Sequence, residues 1–111
     1  MQIQYSTEQG CALISISGEV DATSALELDR ILQWAQQQEH GNVLINCQGL
    51  AYISSAGLGV IVSYIKLLQE QSRKLILFGI SKPIYNIFSI LGLENLLVMA
   101  DSEQEALALC A

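Results

Sequence analysis

Apolar and polar residues alternate along this chain in blocks, and the period switches between that of a strand and that of a helix. Ile3 to Tyr5 opens a short first strand. From Ala12 to Ser17 the alternation is strict. Ala12, Ile14 and Ile16 share one side and Leu13, Ser15 and Ser17 the other, which predicts a second strand paired to the first through a turn at Gln9-Gly10. Gly18 is read as its end. Val43 to Ile45 is a short apolar strand, with Gly49 as a turn after it, and Leu75 to Phe78 and Leu96 to Met99 are two more.

Between these runs the spacing becomes helical. Ser24 with Glu27 has the pattern of a capping box and predicts a first helix from Ser24 to Gln38, closed by Gly41. Its apolar face is Ala25, Leu28, Ile31, Leu32 and Ala35. A second helix starts near Ser54 or Ser55 and places Leu58, Ile61, Val62, Ile65 and Leu68 on one side. A third has Ser81 as cap, Pro83 in its first turn, a core face of Ile84, Ile87, Phe88 and Leu91, and Gly92 as its stop. Ser102 with Glu105 opens a short last helix through Leu107 and Cys110. One helix between successive strands implies parallel pairing with right-handed crossovers. The fold class is therefore α/β, a mainly parallel mixed sheet of about five strands with about four helices, in one domain over residues 1–111.

Composition agrees with a packed core. Hydrophobic residues make up 51% of the 111 positions and charged ones 14%, the reverse of a disordered chain. The start of the chain lacks the basic and apolar blocks of a secretory signal, and no stretch approaches the length of a membrane span, so a cytoplasmic location is expected. Cys11, Cys47 and Cys110 are odd in number and far apart, which fits neither a disulfide framework nor a metal site; they are read as reduced, buried thiols. A net charge of −6 with scattered Arg30, Lys66, Arg73, Lys74 and Lys82 argues against nucleic acid as a partner.

The segment richest in chemistry is Gln48 to Val62, QGLAYISSAGLGVIV. It delivers two serines and a patch of small residues to the start of a helix, where unpaired N–H groups and aligned peptide dipoles favour negative charge. A phosphate on a serine there would meet ready donors. Simple capping by Ser54 and Ser55 explains the same residues and stays open on local chemistry, as does a division in which one serine caps and the other presents its hydroxyl. Gly57 and Gly59 leave the helix entrance without bulk, and Gly59, Ser63 and Lys66 fall at helical spacing beside Ser55. Asp21 sits where the second strand hands over to the first helix, at the sheet edge expected to carry Ser55. It is either a helix cap or an acidic group that helps orient the serine or a partner.

GEVDATSA followed by GLAYISSAGLGVIV resembles the STAS-domain family, and within it the bacterial anti-sigma-factor antagonists. The likeness continues through SKPIYNIFSILGL and the closing DSEQEALALC, so it spans nearly the whole chain. It implies a single STAS domain that is not an enzyme and needs no cofactor or metal; a monomer is the default expectation for the free chain. Unphosphorylated, such an antagonist binds an anti-sigma factor that is also a serine kinase and supplies the ATP. Phosphorylation releases it, and a PP2C-type phosphatase reverses the change. The family's phosphoacceptor motif falls on Ser54 to Gly59, which makes Ser55 the phosphoacceptor, with Ser54 as the alternative, and the family's aspartate falls on Asp21. The partner-binding surface then comprises Asp21, Ser54, Ser55, Gly57, Gly59 and Ser63. Ser54 stands where the family has an aspartate, and Ala56 where it has a second serine.

Catalytic readings find little support. Tyr52 and Ile53 precede the serines where a nucleophile elbow would need glycine, and no Gly-Lys-Ser/Thr follows Gly57 and Gly59. His40, the single histidine, is expected in a solvated loop. Trp34 is read as packing at the edge of the core, and Tyr64 as a surface residue just off the second helix's apolar face. The competing role is an unphosphorylated interaction subunit, such as the STAS component of a membrane transport or other signalling complex.

Overall fold

A computed structural model describes residues 1–38 and 41–110. In chain order the elements are β1 (Gln2–Glu8), β2 (Cys11–Val20), α1 (Ala22–Gln37), β3 (Val43–Ile53), α2 (Ser55–Glu70), β4 (Leu75–Phe78), α3 (Lys82–Ile90), a 3₁₀ turn (Glu94–Leu96), β5 (Val98–Ala100) and α4 (Glu103–Ala108). The strands form one sheet in the order β1-β2-β3-β4-β5. β1 is antiparallel to β2, and the other neighbours are parallel. The expected α/β sheet is what the chain builds.

The alternation in β2 decides where the helices go. Ala12, Ile14 and Ile16 enter the larger core beneath α1, α2 and α3, whereas Leu13 enters a smaller core beneath α4. Val43 and Ile45 continue the first face through β3, and Leu44 the second. Ala25, Leu28, Leu32 and Ala35 of α1 are buried as their spacing predicts, while Ile31 is half-buried. In α2 the buried set is Gly57, Leu58, Ile61, Tyr64, Ile65 and Leu68, with Val62 half-buried.

Both glycines read as ends of strands lie inside them. Gly18 adopts φ +83°, a region costly for a residue with a Cβ, and β2 continues past it to Val20 after a shift of register. Gly49 lies within β3, where a Cβ would fall 2.7 Å from the side chain of Ser17, so it marks a close approach of two strands rather than a turn. β3 consequently runs to Ile53 and delivers the following serines at the far edge of the sheet.

Other expectations shift as well. Leu91 is exposed, because the chain leaves α3 at that residue and turns through Gly92. The last strand is Val98–Ala100, since Glu94–Leu96 winds into the 3₁₀ turn. Tyr64 is buried, not exposed. Its hydroxyl donates to the backbone oxygen of Asp29 at 3.2 Å, and burial, helped by the nearby Asp29 charge, pushes its pKa up to about 12. Trp34 is half-buried at the edge of the core, its ring 4.9 Å from that of Tyr5. The solvated position expected for His40 lies outside the described residues.

The reading of all three cysteines as free thiols is corrected for two of them. Cys11 and Cys110 are 99 residues apart in sequence, yet their Cα atoms are 6.1 Å apart and their sulfurs are joined in a disulfide. The cause is topological: α4 folds back across the sheet and ends over the start of β2. Cys47 is free and buried.

Candidate functional site

The parallel ladder between β2 and β3 ends with Val20 opposite Ile53. The Ser54 N–H donates to the Val20 carbonyl at 2.8 Å, which ties the two strand ends together. Immediately beyond this tie both chains turn into helices, Asp21 capping α1 and Ser54 capping α2. Asp21 and the Ser54-Ser55 pair therefore leave the same edge of the sheet from adjacent strands.

The two serines divide the work. Ser54 is extended, at φ −78° and ψ 169°, and its Oγ accepts from the Gly57 N–H at 3.2 Å. It is half-buried and already engaged. Ser55 is the first residue of α2 and is exposed, and its hydroxyl has no hydrogen-bond partner among the described residues. The first N–H groups of a helix have no intrahelical acceptor, so those of Ser55 and Ala56 face outward at this point. Positive potential and a free hydroxyl coincide at Ser55.

Asp21 displaces Ser24 as the cap expected for α1. Its carboxylate accepts from the Ser24 N–H at 2.8 Å, and the Ser24 Oγ accepts from the Asp21 N–H at 2.8 Å, so the capping box uses Asp21 and Ser24 rather than Ser24 and Glu27. An aspartate three residues ahead starts the helix earlier, at Ala22. The Ser24 backbone N–H, and then its hydroxyl, hold the Asp21 carboxyl below its usual range. A carboxyl with a depressed pKa stabilises the fold at neutral pH and loses that contribution as pH falls through its lowered value. Replacing Asp21 with Asn, a cap of similar quality, should make the acid limb of stability flatter below the ordinary aspartate range. Melting curves of both proteins from neutral to strongly acidic pH check this, and parallel curves would count against it.

Beyond Ser55, one stripe of α2 stays open. Gly59, Ser63 and Lys66 are exposed, and the Ser63 Oγ donates to the Gly59 carbonyl at 2.8 Å. These three residues share one open face of the helix, and Gly57, expected at the helix entrance with Gly59, does not join it. That glycine faces inward, and a Cβ on it would lie 2.8 Å from both Ile53 Cγ1 and Val20 Cγ1. It supports the site from beneath.

One exposed residue at this edge escaped the sequence reading. Leu26 is 66% exposed in the second turn of α1, off the stripe formed by Ala25, Leu28, Leu32 and Ala35. Its signal was a leucine at a polar position of an amphipathic helix. Among the described residues, no group of His, Cys, Asp and Glu is placed to hold a metal ion, and no helix is long and apolar enough to cross a membrane.

Comparison with known proteins gives a consistent family. The family model for the STAS domain matches residues 2–106. An anti-sigma-B factor antagonist of Listeria monocytogenes is 33% identical over 92 residues, covering 83% of this chain and 81% of that protein. One of Staphylococcus aureus is 28% identical over 97 residues, covering 87% and 90%. The anti-sigma factor antagonist SpoIIAA in its unphosphorylated form superposes with a TM-score of 0.80 at 21% identity, over 95% of this chain and 92% of that one. SpoIIAA of Bacillus in its phosphorylated form gives 0.77 at 20% identity, over 99% and 100%. With a family match across nearly its full length, and with the same five-stranded architecture, the chain belongs to the STAS-domain family.

Proposed function

We propose that this protein is an anti-sigma-factor antagonist that switches partners through phosphate on Ser55. Unmodified, it binds an anti-sigma factor that is also a serine kinase, which brings the ATP. Esterification of the Ser55 hydroxyl ends that complex, and a PP2C-type phosphatase restores the free hydroxyl. The chain itself performs no catalysis and needs no cofactor, and it works in the cytoplasm.

The observation that carries this reading is the difference between two adjacent serines. Ser54 Oγ is committed to the Gly57 N–H, while the Ser55 hydroxyl is exposed at the entrance of a sixteen-residue helix. The names of the similar antagonists, and the existence of SpoIIAA in both unphosphorylated and phosphorylated forms, support it. A phosphate there adds nearly two negative charges next to the Asp21 loop and meets the outward N–H groups of the first turn. A partner surface shaped for the neutral patch of Ser55, Gly59 and Ser63 then loses affinity, and nothing inside the domain has to move.

Intact mass and peptide mapping of the protein isolated from its own cells test the assignment. A single phosphate is expected, on Ser55. Phosphate on Ser54 alone would overturn the choice of residue, and no phosphate under any growth condition would favour an unmodified interaction subunit.

A further inference from the structure

The second face of the sheet carries a feature that the Ser55 switch does not use. α4 has six residues, too few for an isolated helix to persist in water, so its place depends on what holds it. Apart from the disulfide, that is little: Ala106 is fully buried and Leu107 half-buried, and Asn42 Nδ2 donates to the Leu109 carbonyl at 2.8 Å. Beneath it lie Leu13, Leu44, Ile76 and Phe78, an apolar set that no other helix covers among the described residues. The disulfide joins Cys110, two residues beyond the end of α4, to the first residue of β2.

We propose that Cys11 and Cys110 form a reversible thiol–disulfide site, oxidised by a low-molecular-weight disulfide such as oxidised glutathione, whose state decides whether α4 is fastened over this face. Cys110 is half-buried and Cys11 fully buried, so the order of events follows from access. The Cys110 thiolate attacks one sulfur of the small disulfide and expels one thiolate, forming a mixed disulfide. The Cys11 thiolate then attacks the Cys110 sulfur and expels the second. Two protein thiols lose two electrons and two protons, and the small disulfide becomes two thiols. A Cα separation of 6.1 Å lies within the span a disulfide bridges. Cys47 does not compete, because it is buried in the larger core on the opposite face of the sheet from Cys11 and Cys110.

Cys11 begins β2, whereas Ser55 follows the far end of β3, so this site lies at the opposite end of the sheet and does not rest on the assigned switch. Closing a loop of 99 residues chiefly restricts the unfolded chain, and the longer the loop the larger the gain. Oxidation should therefore raise Tm by about 10 °C.

The experiment equilibrates the purified full chain in graded mixtures of reduced and oxidised glutathione, traps free thiols with an alkylating agent and maps the peptides. Cys11 and Cys110 should lose alkylation together and appear as one cross-linked peptide, while Cys47 is labelled only after denaturation. A glutamate-specific protease should trim α4 at Glu103 and Glu105 in the reduced protein and spare those two sites in the oxidised protein. Cys110→Ser, a change at a half-buried position, should keep the fold and abolish the redox-dependent rise in Tm. Glutathione held on Cys110 at every ratio with Cys11 still free would overturn the proposal. Equal trimming and equal Tm in the two states would do so as well.

Discussion

Ser55→Ala is expected to hold its anti-sigma partner persistently and to accept no phosphate, while Ser55→Asp binds at least about 30-fold more weakly. The magnitude follows from placing a carboxylate in an interface complementary to a neutral hydroxyl, where a misplaced charge costs several kcal/mol. Ser55 is exposed and heads a helix, so alanine there removes no hydrogen bond among the described residues and leaves the fold as it was. Aspartate carries about half the charge of a phosphate and reaches less far, so it sets the lower limit of the effect. Ser54→Ala supplies the control. It removes the acceptor of the Gly57 N–H and should cost about 1 kcal/mol of stability, yet it leaves phosphorylation at Ser55 intact. Binding constants from calorimetry and phosphate incorporation from radiolabelling, with the kinase partner captured by the alanine variant, separate these outcomes. Equal affinity of the alanine and aspartate variants would end the switch account.

The contrast between these serines was only half legible in the sequence. Two serines before an apolar helix announce a cap, but which oxygen turns toward the helix depends on where β3 releases the chain. That point was misplaced, because Gly49 reads as a turn until the neighbouring Ser17 is known to press against it. Local signals survived where nothing distant competed: Ser81 caps α3 and Ser102 caps α4 at the expected residues, and β4 runs from Leu75 to Phe78. Asp21 shows the limit of such signals, since two cap candidates three residues apart are settled by where the preceding strand ends. Tyr64 and the Cys11–Cys110 pair needed tertiary knowledge outright. A tyrosine one step off an apolar stripe is buried only because α1 lies beside it, and cysteines 99 residues apart meet only because the chain closes on itself. The family resemblance, by contrast, was carried by short motifs in order, which survive errors of this kind.

Gly57 and Gly59 look alike in the sequence, and substitutions at the two should act in opposite directions. At Gly59 a Cβ meets nothing within 4 Å, so alanine relieves the entropic cost of glycine in a helix. Stability should rise by up to about 1 kcal/mol, or roughly 4 °C in Tm. At Gly57 the new methyl would lie 2.8 Å from Val20 Cγ1 and from Ile53 Cγ1, and 3.2 Å from Ile53 Cδ1. Neither neighbour yields cheaply: Val20 is 0% exposed and Ile53 2%, both are branched at Cβ, and both end paired strands. Overpacking of this kind costs about 1–3 kcal/mol, which outweighs the helical gain from alanine, and Gly57→Val should lose more, about 10 °C or beyond. To relieve the clash α2 has to move away from the strand ends, which strains the Ser54–Val20 hydrogen bond and shifts Ser55 relative to Asp21. Gly57→Ala should therefore weaken partner binding through misplacement even where it stays folded, whereas Gly59→Ala tests the surface alone. Melting temperatures of the two alanine variants decide the matter, and a Gly57→Ala protein as stable as the parent would mean that the entrance of α2 is not wedged against the sheet as these distances require.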